Sequence, residues 1–252
     1  MIKADATFLG HSTVLIEMGE ARILTDPVLL DRISILRRAV STLPRDLYRD
    51  IDLVVISHLH LDHLDIPSLR TLGTDVPLVV PQGAGKFMQG MGFRSVQELA
   101  PGRSIVVDGV DVRATTADHS GFRPPFGPTA DALGYVFELD KESVYFAGDT
   151  DIFPAMAELA GVDLALLPVW GWGPRLGPGH MDPERAADAL SVIRPRATVP
   201  IHWGTLWPMG MGRVMPHRLE RPPLEFEEAA ARKAPEVRVL LTPPGKTVPI
   251  PR

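Results

Sequence analysis

Six residues, His58-Leu59-His60-Leu61-Asp62-His63, constrain this chain more than any other stretch. They follow directly on Ile51-Asp-Leu-Val-Val-Ile-Ser57, an apolar run that reads as a buried strand. Imidazoles and a carboxylate crowded just past a strand belong on a loop at a sheet edge, where functional residues concentrate. His58 and His60 stand two apart, so in an extended stretch their side chains share a face and can reach one cation. Asp62 and His63, after a turn, can address a second point nearby. Imidazole and carboxylate suit zinc, and also manganese or iron. A solvent-exposed polar turn is the bland alternative, and the density of ligand-type residues argues against it. The chain has no cysteine, which excludes disulfides and thiolate ligands and leaves His and carboxylate to hold any metal.

The rest of the chain reads as short elements. With 252 residues there is room for a full core, and one domain spanning 1–252 is the economical reading. The 25 prolines and 22 glycines fit many short elements with stiff loops better than a helical bundle. Strands are expected at 6–9, 13–18, 22–25, 51–57, 77–81, 104–107, 110–116, 133–139, 143–146, 162–167, 197–201 and 237–241, with a last short strand after the turn at 243–246. Helices are expected at 83–91, 153–160, 184–193 and 225–233. Asp182 is the expected N-cap of the third, with Pro183 at its first position. Residues 28–50 read as irregular, either a mobile loop or a short helix. Residues 205–224, rich in Pro, Met and Gly, read as a long loop.

The charge balance is 26 basic to 31 acidic residues, a net of -5, which speaks against a broad nucleic-acid surface. No apolar run reaches membrane-spanning length, and the first residues lack the apolar core of a signal peptide. A cytoplasmic protein without an integral membrane segment is the expectation.

The His-x-His-x-Asp-His run after a strand resembles the signature of the metallo-β-lactamase superfamily. That resemblance implies an α/β fold, a four-layered αββα sandwich with two mixed β-sheets. It also implies a later His, a later Asp and a final His, each at a strand end. The matching residues are His119 in Ala117-Asp-His-Ser-Gly121, Asp149 in Ala147-Gly-Asp-Thr150, and His202 in Pro200-Ile-His-Trp-Gly-Thr205. By analogy, His58, His60 and His119 hold one divalent metal ion. Asp62, His63 and His202 hold a second, and Asp149 bridges the two. Zinc is the first expectation and manganese the second. Such a pair activates a water for hydrolysis, and Asp62 can orient that water or take its proton. Diiron redox members of the superfamily usually carry Glu where this chain has His60, so the resemblance favours hydrolysis.

Shorter stretches resemble one branch of the superfamily, the branch of N-acylphosphatidylethanolamine phospholipase D and L-ascorbate-6-phosphate lactonase. They are Phe8-Leu-Gly-His-Ser-Thr13, Thr25-Asp-Pro27, Gly179-His-Met-Asp-Pro-Glu184 and Ile201-His-Trp-Gly-Thr205. The resemblance implies a site role for His180, which follows Gly177-Pro-Gly179 and can contact substrate or give a proton to a leaving group; a loop-stabilising His is the alternative. His11 is a candidate for substrate contact, for orienting a ligand carboxylate, or for a purely structural turn. Asp26 is a partner for a ligand His or a turn former. Trp170, Trp172, Trp203 and Trp207 fall near His180 and His202 in sequence. Of these, Trp170 and Trp203 are taken as substrate-lining, with core packing as the alternative. Leu206, Trp207, Met209, Met211, Val214 and Met215 form either an exposed apolar surface for an acyl chain, a membrane or a second subunit, or part of the core. His217 is expected at the surface.

The leading functional expectation is a two-metal hydrolase of an ester-type bond, a phosphodiester or a lactone, acting on a small-molecule or lipid-like substrate. A phosphodiester version calls for Arg or Lys near the metals, with Arg123 and Arg175 as candidates. A lactone version calls for a smaller, polar pocket. A non-catalytic metal-binding scaffold is the reading from another class, and the complete ligand set argues against it. An RNA-processing nuclease is disfavoured by the acidic balance. A homo-oligomer is left open.

Overall fold

The computed structural model describes residues 4–41, 43–211 and 216–251. In chain order the strands are β1 Ala4–Gly10, β2 Thr13–Met18, β3 Ala21–Thr25, β4 Arg32–Ile33, β5 Leu36–Arg38, β6 Leu53–Val55, β7 Leu78–Pro81, β8 Val96–Leu99, β9 Ser104–Val107, β10 Val110–Thr116, β11 Leu133–Leu139, β12 Glu142–Phe146, β13 Leu164–Pro168, β14 Ala197–Ile201, β15 Leu206–Pro208, β16 Arg238–Val239 and β17 Lys246–Pro249. The helices are α1 Ile66–Leu72, α2 Gly85–Gly90, α3 Pro183–Ile193 and α4 His217–Lys233.

Two seven-stranded sheets carry the fold, in the orders β17-β1-β2-β3-β6-β7-β8 and β16-β14-β13-β12-β11-β10-β9. Both are mixed in the same way. In the first, pairing is antiparallel from β17 to β3 and parallel from β3 to β8. In the second, it is antiparallel from β9 to β12 and parallel from β12 to β16. One core cluster joins the sheets: Phe8, Ile16, Ile23 and Val55 from the first meet Val112, Tyr135, Phe146 and Leu166 from the second. The alternate residues of the same strands face the other way. Leu15, Leu24, Val54 and Val80 pack with Leu69 and Met88 of α1 and α2. Tyr145, Ala165 and Leu167 pack with Leu190 of α3 and Phe226 of α4. Period-two alternation thus buries both faces of each sheet and yields the expected four layers.

Local signals account for the helix starts. The Asp182 side chain accepts from Arg185 N, and Pro183 opens α3. Asp65 caps α1 the same way, accepting from Ser68 N, with proline in the first turn.

Several sequence expectations are corrected. Residues 28–50 hold the β4–β5 hairpin and a short 3-10 turn at Arg45–Tyr48; Ile33 and Leu36 sit in a small core with Val28 and Leu206. The helix expected at 153–160 is present as a 3-10 helix over Pro154–Leu159, whereas the strand expected at 237–241 shrinks to Arg238–Val239. The 205–224 stretch is not one loop. Leu206 and Trp207 are buried in β15, which pairs with β5. The stretch from His217 onward is the first part of α4, which carries Pro222 and Pro223 inside it. His217 itself is exposed, as expected. Val214 and Met215 lie outside the described residues.

Candidate metal centre

The candidate residues gather where strands of both sheets end. Asp26 follows β3 and His58 follows β6 after two further residues, at the switch from antiparallel to parallel pairing in the first sheet. Asp149 follows β12 at the matching switch in the second, with His119 beyond β10 and His202 directly after β14. Clefts outside the carboxyl ends of strands at such switch points are natural places for a site.

Backbone contacts fix the loops against one another. His202 N donates to His11 O at 2.8 Å, tying the β1–β2 turn to the end of β14. Asp151 N donates to Asp118 O at 3.1 Å, tying the Asp149 loop to the His119 loop. His63 N and Leu64 N both donate to His60 O, closing the turn that brings Asp62 and His63 back toward His58. Gly148 has φ +61, and a Cβ there would lie 2.6 Å from Ser57 Cβ and 3.0 Å from Leu133 O. Only glycine lets β12 end this close to the His58 strand.

Two ligand-type clusters result. His58 Nε2, His60 Nδ1 and His119 Nε2 converge, with His60 Nδ1 at 3.0 Å from the first and 3.1 Å from the last. Asp62, His63 and His202 form the second cluster, together with His11. His63 Nε2 lies 3.0 Å from His202 Nε2 and 3.1 Å from Asp149 Oδ2. Asp149 stands between the clusters: Oδ2 is 4.0 Å from His119 Nε2 and 3.4 Å from His180 Nε2, and Oδ1 is 3.2 Å from His202 Nε2.

The far side of each ring is tied down. His58 Nδ1 donates to Ser57 Oγ at 3.0 Å, and Ser57 Oγ donates to Asp26 Oδ2 at 2.5 Å. His63 Nδ1 donates to the same Asp26 Oδ2 at 2.7 Å. His119 Nδ1 donates to Gly179 O at 2.7 Å, and His202 Nδ1 to Trp170 O at 2.9 Å. With these protons on Nδ1, His58 and His119 both turn bare Nε2 lone pairs on one point. A single N–H on His60 Nδ1 can serve the two lone pairs only by sharing, whereas a cation among the three nitrogens satisfies all of them. In a tetrahedral shell with metal–nitrogen bonds of about 2.0–2.1 Å, neighbouring nitrogens lie about 3.3–3.4 Å apart, a few tenths of an ångström wider. Asp149 Oδ1 is also buried without a hydrogen-bond partner among the described residues. The donor set fits a metal centre.

Electrostatics agree. Burial pulls His58 well below its ordinary value and His119 to about 4, keeping their lone pairs free. Burial alone would raise the Asp149 and Asp62 carboxyls, but the facing imidazoles outweigh it and hold both well below the usual carboxylate range. The exception is His63: burial opposes its charge, but Asp149 and Asp62 hold it well above its ordinary value, so a metal at this cluster would have to displace its Nε2 proton.

A cavity of about 390 Å³ opens above Asp62, Asp149, His60, His180 and His202. Its walls are largely apolar, from Ile33, Ile35 and Leu36 of the β4–β5 hairpin, Leu61, Pro124, and Trp172 and Leu176 of the loop after β13. Arg175 is the basic residue in that wall.

Four expectations about surrounding residues change. Trp203 stacks on Phe8, 6.0 Å between ring centroids, and packs against the core rather than the cavity. Trp170 is buried beneath Arg218, 4.4 Å from its ring centroid, and serves the site through its carbonyl. Their expected place is taken by Trp172, which the sequence offered without distinguishing it. His11 is fully buried and does not line the cavity; its Nε2 donates to Asp62 Oδ2 at 2.9 Å, the orienting alternative. Arg123 donates to Leu59 O and Leu64 O, bracing the His/Asp turn from behind instead of facing the cavity.

The chain is similar to known proteins. The family model for a Beta-lactamase superfamily domain matches residues 21–203. A UPF0173 metal-dependent hydrolase of Methanosphaerula palustris is 33% identical over 251 residues, covering 97% of this chain and 99% of that one. The N-acyl-phosphatidylethanolamine-hydrolyzing phospholipase D 1 of Caenorhabditis elegans is 32% identical over 231 residues, covering 81% of this chain; the alignment spans 65% of that longer protein. Among solved structures, a metallo hydrolase of Ignicoccus hospitalis superposes with a TM-score of 0.75 at 26% identity, covering 98% of this chain and 97% of that one. With its two mixed sheets and its strand-end His/Asp cluster, the chain belongs to the metallo-β-lactamase superfamily and is a metal-dependent hydrolase.

Proposed function

We propose that the chain hydrolyses an ester-type bond, a phosphodiester first, at a centre of two divalent ions, zinc with manganese as the alternative. The observation that carries the metal centre is the convergence of His58 Nε2, His60 Nδ1 and His119 Nε2 on one point with their outer nitrogens already bonded at His58 and His119. In this reading those three residues hold one ion, Asp62, His63 and His202 hold the other, and Asp149 spans them. Ions bound there supply Lewis acidity and a water acidified toward neutral pH.

The chain's own residues do the rest. Asp62 orients the attacking water. His180 sits with Nδ1 donating to Gly177 O and Pro178 O and with Nε2 turned toward Asp149, in the cavity wall. From there it would give its Nε2 proton to the leaving oxygen as the water oxygen, its own proton released to solvent, bonds to phosphorus and the P–O bond breaks. Arg175 meets the negative charge of a phosphodiester. A cavity with aliphatic and indole walls favours an ester carrying an apolar substituent over a small sugar-like lactone. The name of the phospholipase relative supports the same chemistry.

Protein loaded with zinc or with manganese is tested on bis(4-nitrophenyl) phosphate, N-acylphosphatidylethanolamine vesicles and a lactone panel. Turnover of phosphodiester above lactone is expected. Lactone turnover alone replaces the phosphodiester reading, and no turnover of any substrate refutes it.

A further inference from the structure

One cavity residue joins the apolar wall to the candidate metal ligands. Trp172 lies in the loop between β13 and α3, is 38% exposed, and presents its indole to the cavity beside Ile35 and Leu176. Its Nε1 donates to Asp62 Oδ2 at 3.0 Å. That oxygen already accepts from His11 Nε2 at 2.9 Å. Asp62 is therefore gripped from two sources. His11 comes from a fully buried strand turn. Trp172 comes from a segment, Gly171-Trp-Gly-Pro-Arg-Leu-Gly-Pro-Gly179, with glycine or proline at most positions. Tryptophan combines a broad apolar face with a single donor, so one side chain serves both the wall and the carboxylate.

We propose that Trp172 is a positioning residue for Asp62 whose indole is also the surface on which an apolar group of the substrate rests, so that filling the wall holds the carboxylate in place. The inference rests on the hydrolase reading above. It narrows the substrate to an ester with an aromatic or acyl group next to the cleaved bond. Trp172 is partly exposed where His11 is fully buried, and contact with such a group covers it and preserves its hydrogen bond to Asp62.

Trp172→Phe keeps the wall and removes the donor; Trp172→Ala removes both. Zinc binding is measured by competition with a chromophoric chelator. Turnover is measured on bis(4-nitrophenyl) phosphate and on methyl 4-nitrophenyl phosphate, which share the cleaved bond and differ in the apolar group. Loss of an outer hydrogen bond to a ligand carboxylate weakens metal binding about 10-fold or more. Trp172→Phe is expected to weaken the second zinc equivalent by about 10-fold, leave the first unchanged, and lower kcat on both compounds with KM within about twofold. Trp172→Ala is expected to add a rise in KM for the bis compound alone. Zinc affinity and kcat both within about twofold of the parent in Trp172→Phe overturn the proposal, as does an equal rise in KM on both compounds in Trp172→Ala. If the parent cleaves neither compound, the ester reading fails and the zinc titration alone decides whether Trp172 positions Asp62.

Discussion

Asp26→Asn removes one charge and almost no volume, and its effect follows from counting donors. The Asp26 carboxylate accepts from Ser57 N at 2.7 Å, Ser57 Oγ at 2.5 Å and His63 Nδ1 at 2.7 Å. Its backbone has φ 34, a left-handed conformation that asparagine tolerates well and alanine does not, so the substitution adds little strain. Asparagine has one acceptor oxygen for these donors. If that oxygen stays on Ser57 N, the amide NH2 faces His63 Nδ1. His63 must then move its proton to Nε2, the atom that points at Asp149 and His202, and it stops being a ligand. If the amide turns over, NH2 meets Ser57 N–H, and a buried donor is left unpaired at about 1–3 kcal/mol. The first outcome weakens the second metal equivalent by about 10- to 100-fold. The second lowers the melting temperature of metal-free protein by about 2–12 °C, at about 2–4 °C per kcal/mol for a chain of this size. Chelator competition and calorimetry separate the two. Affinity within about threefold and a melting temperature within about 1 °C of the parent would show that Asp26 does not set the His63 tautomer.

Other predictions probe the same architecture. A Cβ at Gly179 would lie 2.9 Å from His119 Nδ1 with the backbone at φ +74, so Gly179→Ala is expected to weaken the first metal equivalent about 10-fold or more by displacing the carbonyl that orients His119. His180→Ala is expected to lower kcat by about 100-fold or more with zinc content unchanged by elemental analysis. Chelation is expected to remove about 2.7 kcal/mol per ion supplied at 100 times its Kd, a melting-temperature drop of about 5–10 °C, restored by adding metal back. Burial brings His11 to about 3 and His119 to about 4 from an ordinary 6.5. The folded state then binds fewer protons than the unfolded one, so metal-free stability is lost as pH falls below about 6.5, at about 1.4 kcal/mol per pH unit for each group until its folded value is reached. His63, held high, contributes fully below 6.5 and loses its share as pH rises from there to its folded value, so it does not mask the slope; Asp26, raised by burial, offsets part of it. Urea midpoints between pH 4.5 and 6.5 check the direction, and a flat series would contradict it.

What could be read from the chain divides along physical lines. The candidate metal residues were legible because histidine is rare in the chain, 8 of 252 residues, and because His58, His119, Asp149 and His202 each follow a β-type run. The long strands of the second sheet were legible through apolar runs, as in Leu133–Leu139. The short β8, Val96-Gln-Glu-Leu99, was not, because an edge strand with two exposed polar residues has no distinguishing pattern. Helix α1 was also missed, although Asp65 followed by proline in the first turn was a usable start signal. The first part of α4 was hidden by Pro222 and Pro223, which normally end a helix; both are buried here against the fold. Among the tryptophans, position along the chain could not separate Trp172 from Trp170 and Trp203. Which one faces the cavity depends on loop geometry that has no periodicity.

The ligands come from two halves of the chain that complete at different times. The segment that ends with β8 at Leu99 carries nearly the whole first sheet, with His58, His60, Asp62 and His63 in the loop between β6 and α1. The second sheet starts at Ser104, and His119, Asp149 and His202 arrive with it. During synthesis the first half therefore leaves the ribosome with imidazoles exposed on an uncovered sheet edge. The first candidate trio, His58, His60 and His119, is complete once the chain has passed His119, whereas Asp62 and His63 wait for His202. In the two-ion reading proposed above, the second ion would be captured as a closing event of folding rather than as its nucleus.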